Sequence, residues 1–129
     1  MRRLAMSALV LAASCKSAGT DPADHRLSGS YEWIRASGGI AGRVMTPSSE
    51  SYSVRFSFSG NQVTYFRNDS LKGTSTVTVR GSEITYQPSV AAFVFHSGID
   101  AQTFRVMPGD TLVLTDPCCD RFEYVFVRR

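Results

Sequence analysis

Two adjacent cysteines, Cys118 and Cys119, are the residues whose type and spacing point most directly to chemistry. They stand between Pro117 and Asp120. Neighbouring Cα atoms lie about 3.8 Å apart across a trans peptide, whereas most disulfides span roughly 4.4–6.8 Å. A vicinal disulfide here would therefore be strained and easily reduced. Three interpretations stay open: two free thiols in a hairpin turn, a vicinal disulfide, or a soft-metal or redox site of the kind that suits Cu(I).

The third cysteine, Cys15, is placed for lipid attachment. Arg2 and Arg3 form a basic start, Leu4–Ala13 is an almost continuous apolar run, and small residues lead up to the cysteine. The run is too short to cross a bilayer and is typical of an export signal. A cysteine directly after small residues resembles the lipobox of bacterial lipoproteins, in which the thiol is acylated, for example with palmitate, and becomes the new N-terminus. The alternative is an ordinary signal peptide that is cut near Cys15.

We therefore expect three parts: a lipoprotein signal peptide over residues 1–14, a lipidated N-terminus and flexible tether over 15–27, and a folded domain over 28–129. The tether is polar and has no apolar period. The remainder is long enough for one core but not for two. The predicted location is the cell envelope, with a lipid anchor in the outer membrane and the domain facing the periplasm or the cell surface.

The charge of the chain argues against nucleic acid as a partner. There are 14 Lys and Arg against 11 Asp and Glu, a net charge of +3, and loss of Arg2 and Arg3 with the signal leaves 12 against 11, or +1. Basic side chains are scattered along the domain until Arg128 and Arg129. Recognition of nucleic acid needs a concentrated basic patch, so we predict no such partner.

A cluster of three glycines, Gly38, Gly39 and Gly42, raises the question of a phosphate-binding loop. Such a loop works because a helix follows it, whereas Pro47 and several serines follow here without a helical pattern. The order G-G-I-A-G also matches neither common nucleotide motif. Glycines let a strand bend and let another backbone come close. We expect Gly38–Gly42 to be a mobile flap, followed by a segment without strand pattern, Arg43–Ser51, that could cover an opening.

Catalytic and metal-binding arrangements are missing from the sequence. His25 and His96 have no partner at ligand spacing. No serine stands in a G-x-S-x-G elbow next to a base. Most carboxylates fall in turns, where Asp is a common residue: Asp69, Asp100, Asp110, Asp116 and Asp120. We predict neither an enzyme nor a cofactor.

Alternation of apolar and polar residues is the dominant pattern from Ser30 onward, and residues 50–60 show it best. Successive strand side chains point to opposite faces. The pattern therefore predicts one buried face and one wet face, with a register that a one-residue slip would reverse. The residues expected to point inward are Tyr52, Val54, Phe56 and Phe58, and those expected outward are Ser53, Arg55 and Ser57.

Short strands of this kind recur through the whole domain. About nine strand-like segments follow one another: 31–36, 50–60, 62–69, 73–80, 83–87, 90–97, 102–107, 111–116 and 121–128. No segment has a convincing helical period. The fold class is therefore all-β, and strands at this spacing build a sandwich or a closed antiparallel barrel.

Three stretches resemble the bacterial lipocalin-like lipoproteins: LSGSYEWIRASGGIAG (27–42), GDTLVLTD (109–116) and FEYVFVRR (122–129). In that group an aromatic strand and a glycine segment open the barrel, and a hairpin of the second and third kind closes it. The resemblance implies a small antiparallel up-and-down β-barrel of about eight or nine strands. It also implies that Trp33 lies in the barrel floor and that Arg128 lies over its ring, a cation–π contact.

The function expected from such a barrel is non-catalytic binding of a small apolar ligand. An eight-stranded barrel has room only for side chains or for one small ligand, and the chain holds 8 Phe, 5 Tyr and 1 Trp, which predicts an apolar interior. The residues predicted to contact the ligand are Trp33, Tyr52, Phe56 and Tyr124. The alternative is a filled barrel that acts as a protein-interaction or envelope-structural module. In both cases we expect a monomer whose other partner is the membrane, through the N-terminal lipid.

Overall fold

The computed structural model describes residues 26–91, 98–117 and 120–129. Within them the chain forms nine strands and one helix of four residues. The elements in chain order are β1 (Gly29–Gly38), β2 (Arg43–Met45), α1 (Pro47–Glu50), β3 (Val54–Ser59), β4 (Gln62–Arg67), β5 (Ser70–Arg80), β6 (Glu83–Val90), β7 (Ile99–Met107), β8 (Thr111–Thr115) and β9 (Phe122–Arg128). The predicted all-β class is confirmed.

The strands close into a barrel. They form one sheet in the order β2-β1-β3-β4-β5-β6-β7-β8-β9, and β1 also pairs with β9. Eight strands, β1 and β3 to β9, thus make a closed antiparallel up-and-down barrel, and β2 is an extra strand beside β1. Closure removes the exposed edges that an open sheet of this size would have. The predicted barrel is confirmed, and its architecture is compatible with a lipocalin-like fold.

The alternating pattern around β3 takes the predicted orientation. Tyr52, Val54, Phe56 and Phe58 are buried in the core, and the residues between them are partly exposed. Arg55 reaches the surface, where its guanidinium pairs with Asp69 at 3.2 Å. The opposite register would bury this arginine among aromatic rings.

The segment after the glycine cluster has more structure than the sequence predicts. Gly39 and Gly42 adopt left-handed backbone angles, with φ of +75° and +60°, and Gly42 N donates to Gly39 O at 3.1 Å. This tight turn folds the chain back, so that β2 pairs with the last residues of β1. Met45 lies opposite Ala36 in that pair and is fully buried. The expectation that residues 43–51 contain no strand is therefore wrong.

A short helix completes the same segment. Thr46 caps α1: its hydroxyl accepts from Ser49 N, and the Ser49 hydroxyl accepts from Thr46 N. Pro47 takes the first helical position, where its missing N–H costs nothing. With Ser51 in a left-handed conformation that ends the helix, the chain is turned directly into β3.

Strand β6 differs from its predicted end at Pro88. It continues to Val90, although its pairing with β7 is irregular between Thr85 and Val90. The irregularity suits a proline, which has no N–H to give to a neighbouring strand. The predicted strand 90–97 falls mostly in residues 92–97, which lie outside the described part of the chain.

The core runs along the barrel axis and differs between its two ends. We call them the Gly29 end, where β1 begins and β9 finishes, and the Gly39 end, where β1 and β8 finish and β7 and β9 begin. Large apolar side chains fill the Gly29 half, among them Tyr31, Phe56, Phe58, Phe104, Leu112 and Phe126. The Gly39 half also buries the polar side chains of Gln102 and Asp116. The expectation of an apolar interior is therefore wrong for this half.

Candidate functional site

Four polar side chains form a continuous hydrogen-bonded row inside the Gly39 half of the barrel. The Tyr86 hydroxyl donates to Gln102 Oε1 at 2.9 Å, and Gln102 Nε2 donates to Asp116 Oδ1 at 3.0 Å. The Tyr124 hydroxyl donates to the other carboxylate oxygen, Oδ2, at 3.1 Å. All four residues are buried, and even Asp116 is only 8% exposed. We call these residues the Asp116 row.

The row joins inward-pointing residues of four consecutive strands along diagonals of the sheet: Gln102 is opposite Ile84, two residues before Tyr86, and Tyr124 is opposite Leu114, two residues before Asp116. The strands are β6, β7, β8 and the start of β9, which are neighbours in the sheet. Leu112 and Leu114 point into the core from β8, and Asp116 continues their alternation just past the strand's last residue. Its N–H still donates to Phe122 O at 3.0 Å, as in the hairpin ladder.

Asp116 is the functional candidate that the sequence reasoning missed. The sequence predicts it as a turn residue, because Asp is common in turns and Pro117 follows. The alternation of Leu112, Leu114 and Asp116 was the available signal, since residues two apart in a strand share a face. Gln102 follows a similar rule on β7, where it alternates with buried Ile99 and Phe104 through an irregular start.

Burial and charge change the acidity of the two tyrosines in the row. Burial raises the pKa of Tyr86 far above its ordinary value of 10, and the charge of Asp116 raises it further. The same causes, together with the hydrogen bond to Asp116, raise the pKa of Tyr124. Both hydroxyls therefore keep their protons at any physiological pH and act as donors toward the row.

A pocket at the rim of the Gly39 end leads to this row. It has a volume of about 330 Å³. The described residues that line it lie at the start of β7 and between β8 and β9: Gly98, Ile99, Asp100, Ala101, Asp116, Pro117 and Asp120. We call it the rim pocket. Asp116 belongs both to the pocket and to the row, so a molecule in the pocket would meet the row through this carboxylate.

The four residues predicted to contact a ligand are all inside the barrel but do not form one group. Trp33 and Tyr52 stack, with ring centroids 5.5 Å apart and planes 20° apart. Phe56 packs on Phe126 with centroids 5.0 Å apart, and Tyr124 belongs to the Asp116 row. Trp33 and Tyr124 are 0% exposed and Phe56 is 1% exposed, so no water-sized space touches them. None of the four lines the rim pocket.

The stack of Trp33 and Tyr52 is extended by a cation. The Arg67 guanidinium lies 4.3 Å from the centroid of the Tyr52 ring. Arg67 is the last residue of β4, so the charge sits at the Gly39 end. A guanidinium over an aromatic face is held by the ring quadrupole, and this contact shields one side of the aromatic stack.

At the opposite end, Arg128 covers the ring of Tyr31. The resemblance implies a contact with Trp33 instead, so that expectation is wrong. Its guanidinium lies 5.0 Å from the Tyr31 centroid. It also donates to the Tyr31 hydroxyl at 2.8 Å and to Ser28 O at 2.6 Å. The register explains the difference, because Arg128 is opposite Tyr31 in the β1–β9 pair, whereas Trp33 is opposite Phe126.

The chain that enters β1 helps to close the same end. Leu27, which the sequence places at the end of the tether, is 2% exposed and belongs to the core. Arg26 O accepts from the Tyr31 hydroxyl at 3.1 Å, and the Arg26 guanidinium lies 5.3 Å from the Phe104 centroid. The Gly29 end is therefore covered by its own chain, and the Gly39 end is the candidate opening.

Several sequence predictions fall on residues outside the described ranges. They concern the lipidation site Cys15, the pair Cys118 and Cys119, and the histidines His25 and His96. Among the described residues, no group of three or more His, Cys, Asp or Glu is arranged to hold a metal ion. The described residues also include no helix that is long and apolar enough to cross a membrane.

Comparison of the chain with protein-family models, with curated proteins and with solved structures finds no match. The features that bear on function are therefore those of the chain itself: the closed barrel, the covered Gly29 end, the Asp116 row and the rim pocket.

Proposed function

We propose that the protein is a non-catalytic binding protein, a lipocalin-like lipoprotein that holds one small, largely apolar molecule at the Gly39 end of its barrel. The observation that carries the proposal is the Asp116 row beside the rim pocket. Ligand sites in small barrels combine apolar walls with a few polar groups that fix the ligand's orientation. The apolar walls here come from Ile99, Ala101 and Pro117, and the polar group that orients the ligand is Asp116, which the rest of the row holds in place.

The stability of the fold gives no reason for such a row. A buried carboxylate loses its hydration, and well-packed apolar residues in its place are often neutral or stabilising. The other half of the same barrel is filled with apolar side chains. Four hydrogen-bonding groups kept together at the candidate opening are therefore better explained by a molecule that they bind.

The proposed location follows from the N-terminal residues. Arg2, Arg3 and the apolar run before Cys15 support export, and Cys15 after small residues supports acylation. The domain would then be held at the cell envelope by a lipid in the outer membrane, facing the periplasm or the surface. Mass spectrometry of the membrane-extracted protein tests this: an acylated N-terminal Cys15 is expected, and a mature form that starts elsewhere without lipid contradicts it.

Binding is tested by analysis of small molecules that leave with the purified mature protein on denaturation. We expect one class of molecule in stoichiometric amount, and we expect it to be lost from Gln102→Leu. Thr103→Val is the matched control, because Thr103 is the next residue along β7 and its side chain is exposed on the outer face. Trp33 is the sole tryptophan and stacks on Tyr52, so its fluorescence reports whether hydrophobic probes and fatty acids enter the barrel.

A second candidate function is a filled barrel that binds another protein through its surface. The tight burial of Trp33 and Phe56 favours it, and so does the β1–β2 hairpin, where Ile40 is 96% and Val44 57% exposed. Exposed apolar side chains that neighbour one another often mark an interaction surface. This candidate is preferred if no small molecule is found and if Ile40→Ser, but not Thr103→Val, abolishes a specific crosslink in the cell envelope.

A further inference from the structure

We infer that the molecule held at the Gly39 end is an organic cation, such as a protonated amine with a small apolar body. The inference rests on the proposed function and names the chemical class of its ligand. It is carried by the direction of the hydrogen bonds in the Asp116 row and by the composition of the rim pocket.

The hydrogen bonds of the row all run toward Asp116. The Tyr86 hydrogen is given to Gln102, one Gln102 amide hydrogen is given to Asp116, and the Tyr124 hydrogen is given to Asp116. Each tyrosine has one hydroxyl hydrogen, and an ionised carboxylate only accepts. The side chain that the row presents to the rim pocket is therefore an acceptor of hydrogen bonds, and a ligand group that donates matches it.

The charge of the rim pocket also favours a cationic ligand. The described residues that line it include three carboxylates, Asp100, Asp116 and Asp120, and among these described residues there is no lysine, arginine or histidine. Asp100 and Asp120 are exposed at the rim, and Asp100 accepts a hydrogen bond from the Ser89 hydroxyl. Carboxylates around a partly apolar concavity raise the local concentration of cations and repel anions. A fatty acid would bring a second negative charge against Asp116.

The remaining walls set the size of the ligand's body. Ile99, Ala101 and Pro117 give the pocket its apolar surface, and its volume is about 330 Å³. That volume lies at the lower end of the range of roughly 300–1,000 Å³ for small-molecule sites. The interior beyond the row is closed to a longer chain, because Trp33, Phe56 and Tyr124 leave no water-sized space beside them. A short arylalkyl or alkyl amine suits this shape.

The test compares three probes of similar size on the mature protein by isothermal titration calorimetry: phenethylamine, 2-phenylethanol and 3-phenylpropionate. We expect the amine to bind at least about tenfold more tightly than the other two. Asp116→Asn should weaken the amine by about tenfold or more, because the amide keeps the shape but loses the charge. Asp69→Asn is the control, since Asp69 has an 85% exposed side chain and pairs with Arg55 outside the barrel.

A second variant covers the case in which Asp116→Asn does not fold. Asp100→Asn with Asp120→Asn changes only exposed rim residues, and it should also weaken the amine while leaving circular dichroism unchanged. If the alcohol or the acid binds as tightly as the amine, the inferred class is wrong and the proposed binding function stands. If no probe binds and no small molecule leaves the denatured protein, the proposed function fails and the inference fails with it.

Discussion

The two halves of the barrel interior are packed with different kinds of side chain. The Gly29 half is filled with aromatic and aliphatic side chains and is covered by Leu27 and by Arg128 on Tyr31. The Gly39 half buries the Asp116 row and has the rim pocket beside it. The same eight strands build both halves, so the difference comes from single inward positions. We read the first half as the source of stability and the second as the source of function.

The comparison predicts the largest stability effects in the apolar half. Phe56→Ala should lower the free energy of unfolding by about 3–5 kcal/mol, because truncating a buried ring leaves a cavity. Phe56 is 1% exposed and packs on Phe126. Urea unfolding of the two proteins measures the change. Ser57→Ala is the control on the opposite face of β3, and an equal loss at both positions would show that the assigned faces are wrong.

The closure of the Gly29 end should give the next largest effect. Arg128→Met keeps the length of the side chain but removes its hydrogen bonds to Ser28 O and Tyr31 and its place over the Tyr31 ring. We expect a loss of about 2 kcal/mol in the free energy of unfolding, since hydrogen bonds from a charged donor are among the stronger ones. Arg129→Met is the matched control. Arg129 pairs with Glu32 at the surface, and its replacement should lower the free energy of unfolding by less than about 1 kcal/mol. A similar loss for both variants would argue against a special closing role.

These elements also show how far the sequence alone predicts the molecule. Alternation of side chains predicts the orientation of Phe56 and the barrel itself, because each strand carries its own period of two. The three-residue strand β2 could not be predicted that way, since it depends on the turn at Gly39 and on the burial of Met45 beside β1. Its pattern is too short to stand out.

The candidate site depends on the register between strands, which is harder to predict from the sequence. The Asp116 row needs residues of four strands that meet along diagonals of the sheet, and the register decides which residues meet. Arg128 meets Tyr31 and not Trp33 for the same reason. A single sequence shows the alternation of side chains within a strand, but it does not show the register offset between two strands. The candidate ligand residues were therefore predicted as buried aromatics, and the carboxylate that could orient a ligand was predicted as a turn.

The buried tyrosines predict a loss of stability in alkali. Burial raises the pKa values of Tyr31, Tyr86 and Tyr124, whereas an unfolded tyrosine titrates at about pH 10. Above that pH the unfolded chain has lost protons that the folded chain keeps, so the free energy of unfolding falls as the pH rises. Below it these groups make no difference. The slope is at most about 1.4 kcal/mol per pH unit for each tyrosine.

Urea unfolding between about pH 9 and pH 11 measures this slope, which linkage relates to the number of protons released. Tyr86→Phe should make the fall shallower by one tyrosine's share, because phenylalanine has no proton to lose. An unchanged slope in this variant would mean that Tyr86 titrates in the folded protein as it does in the unfolded chain. Absorbance of tyrosinate in the folded protein provides an independent check.

The smallest effect is the one that separates the two halves most sharply. If the Asp116 row serves binding and not stability, its replacement as a unit should leave the free energy of unfolding within about 1 kcal/mol of the wild type, because apolar residues in place of a buried ionic network are often neutral or stabilising. The variant carries Tyr86→Phe, Gln102→Leu, Asp116→Val and Tyr124→Phe. Gln102→Leu alone should lower the free energy of unfolding by more, about 1–3 kcal/mol, since it removes one hydrogen-bond partner from Tyr86 and one from Asp116.

The combined variant should lose the bound small molecule while keeping the barrel's circular dichroism. A combined variant that is far less stable than Gln102→Leu would assign the row to the scaffold and remove the distinction between the two halves.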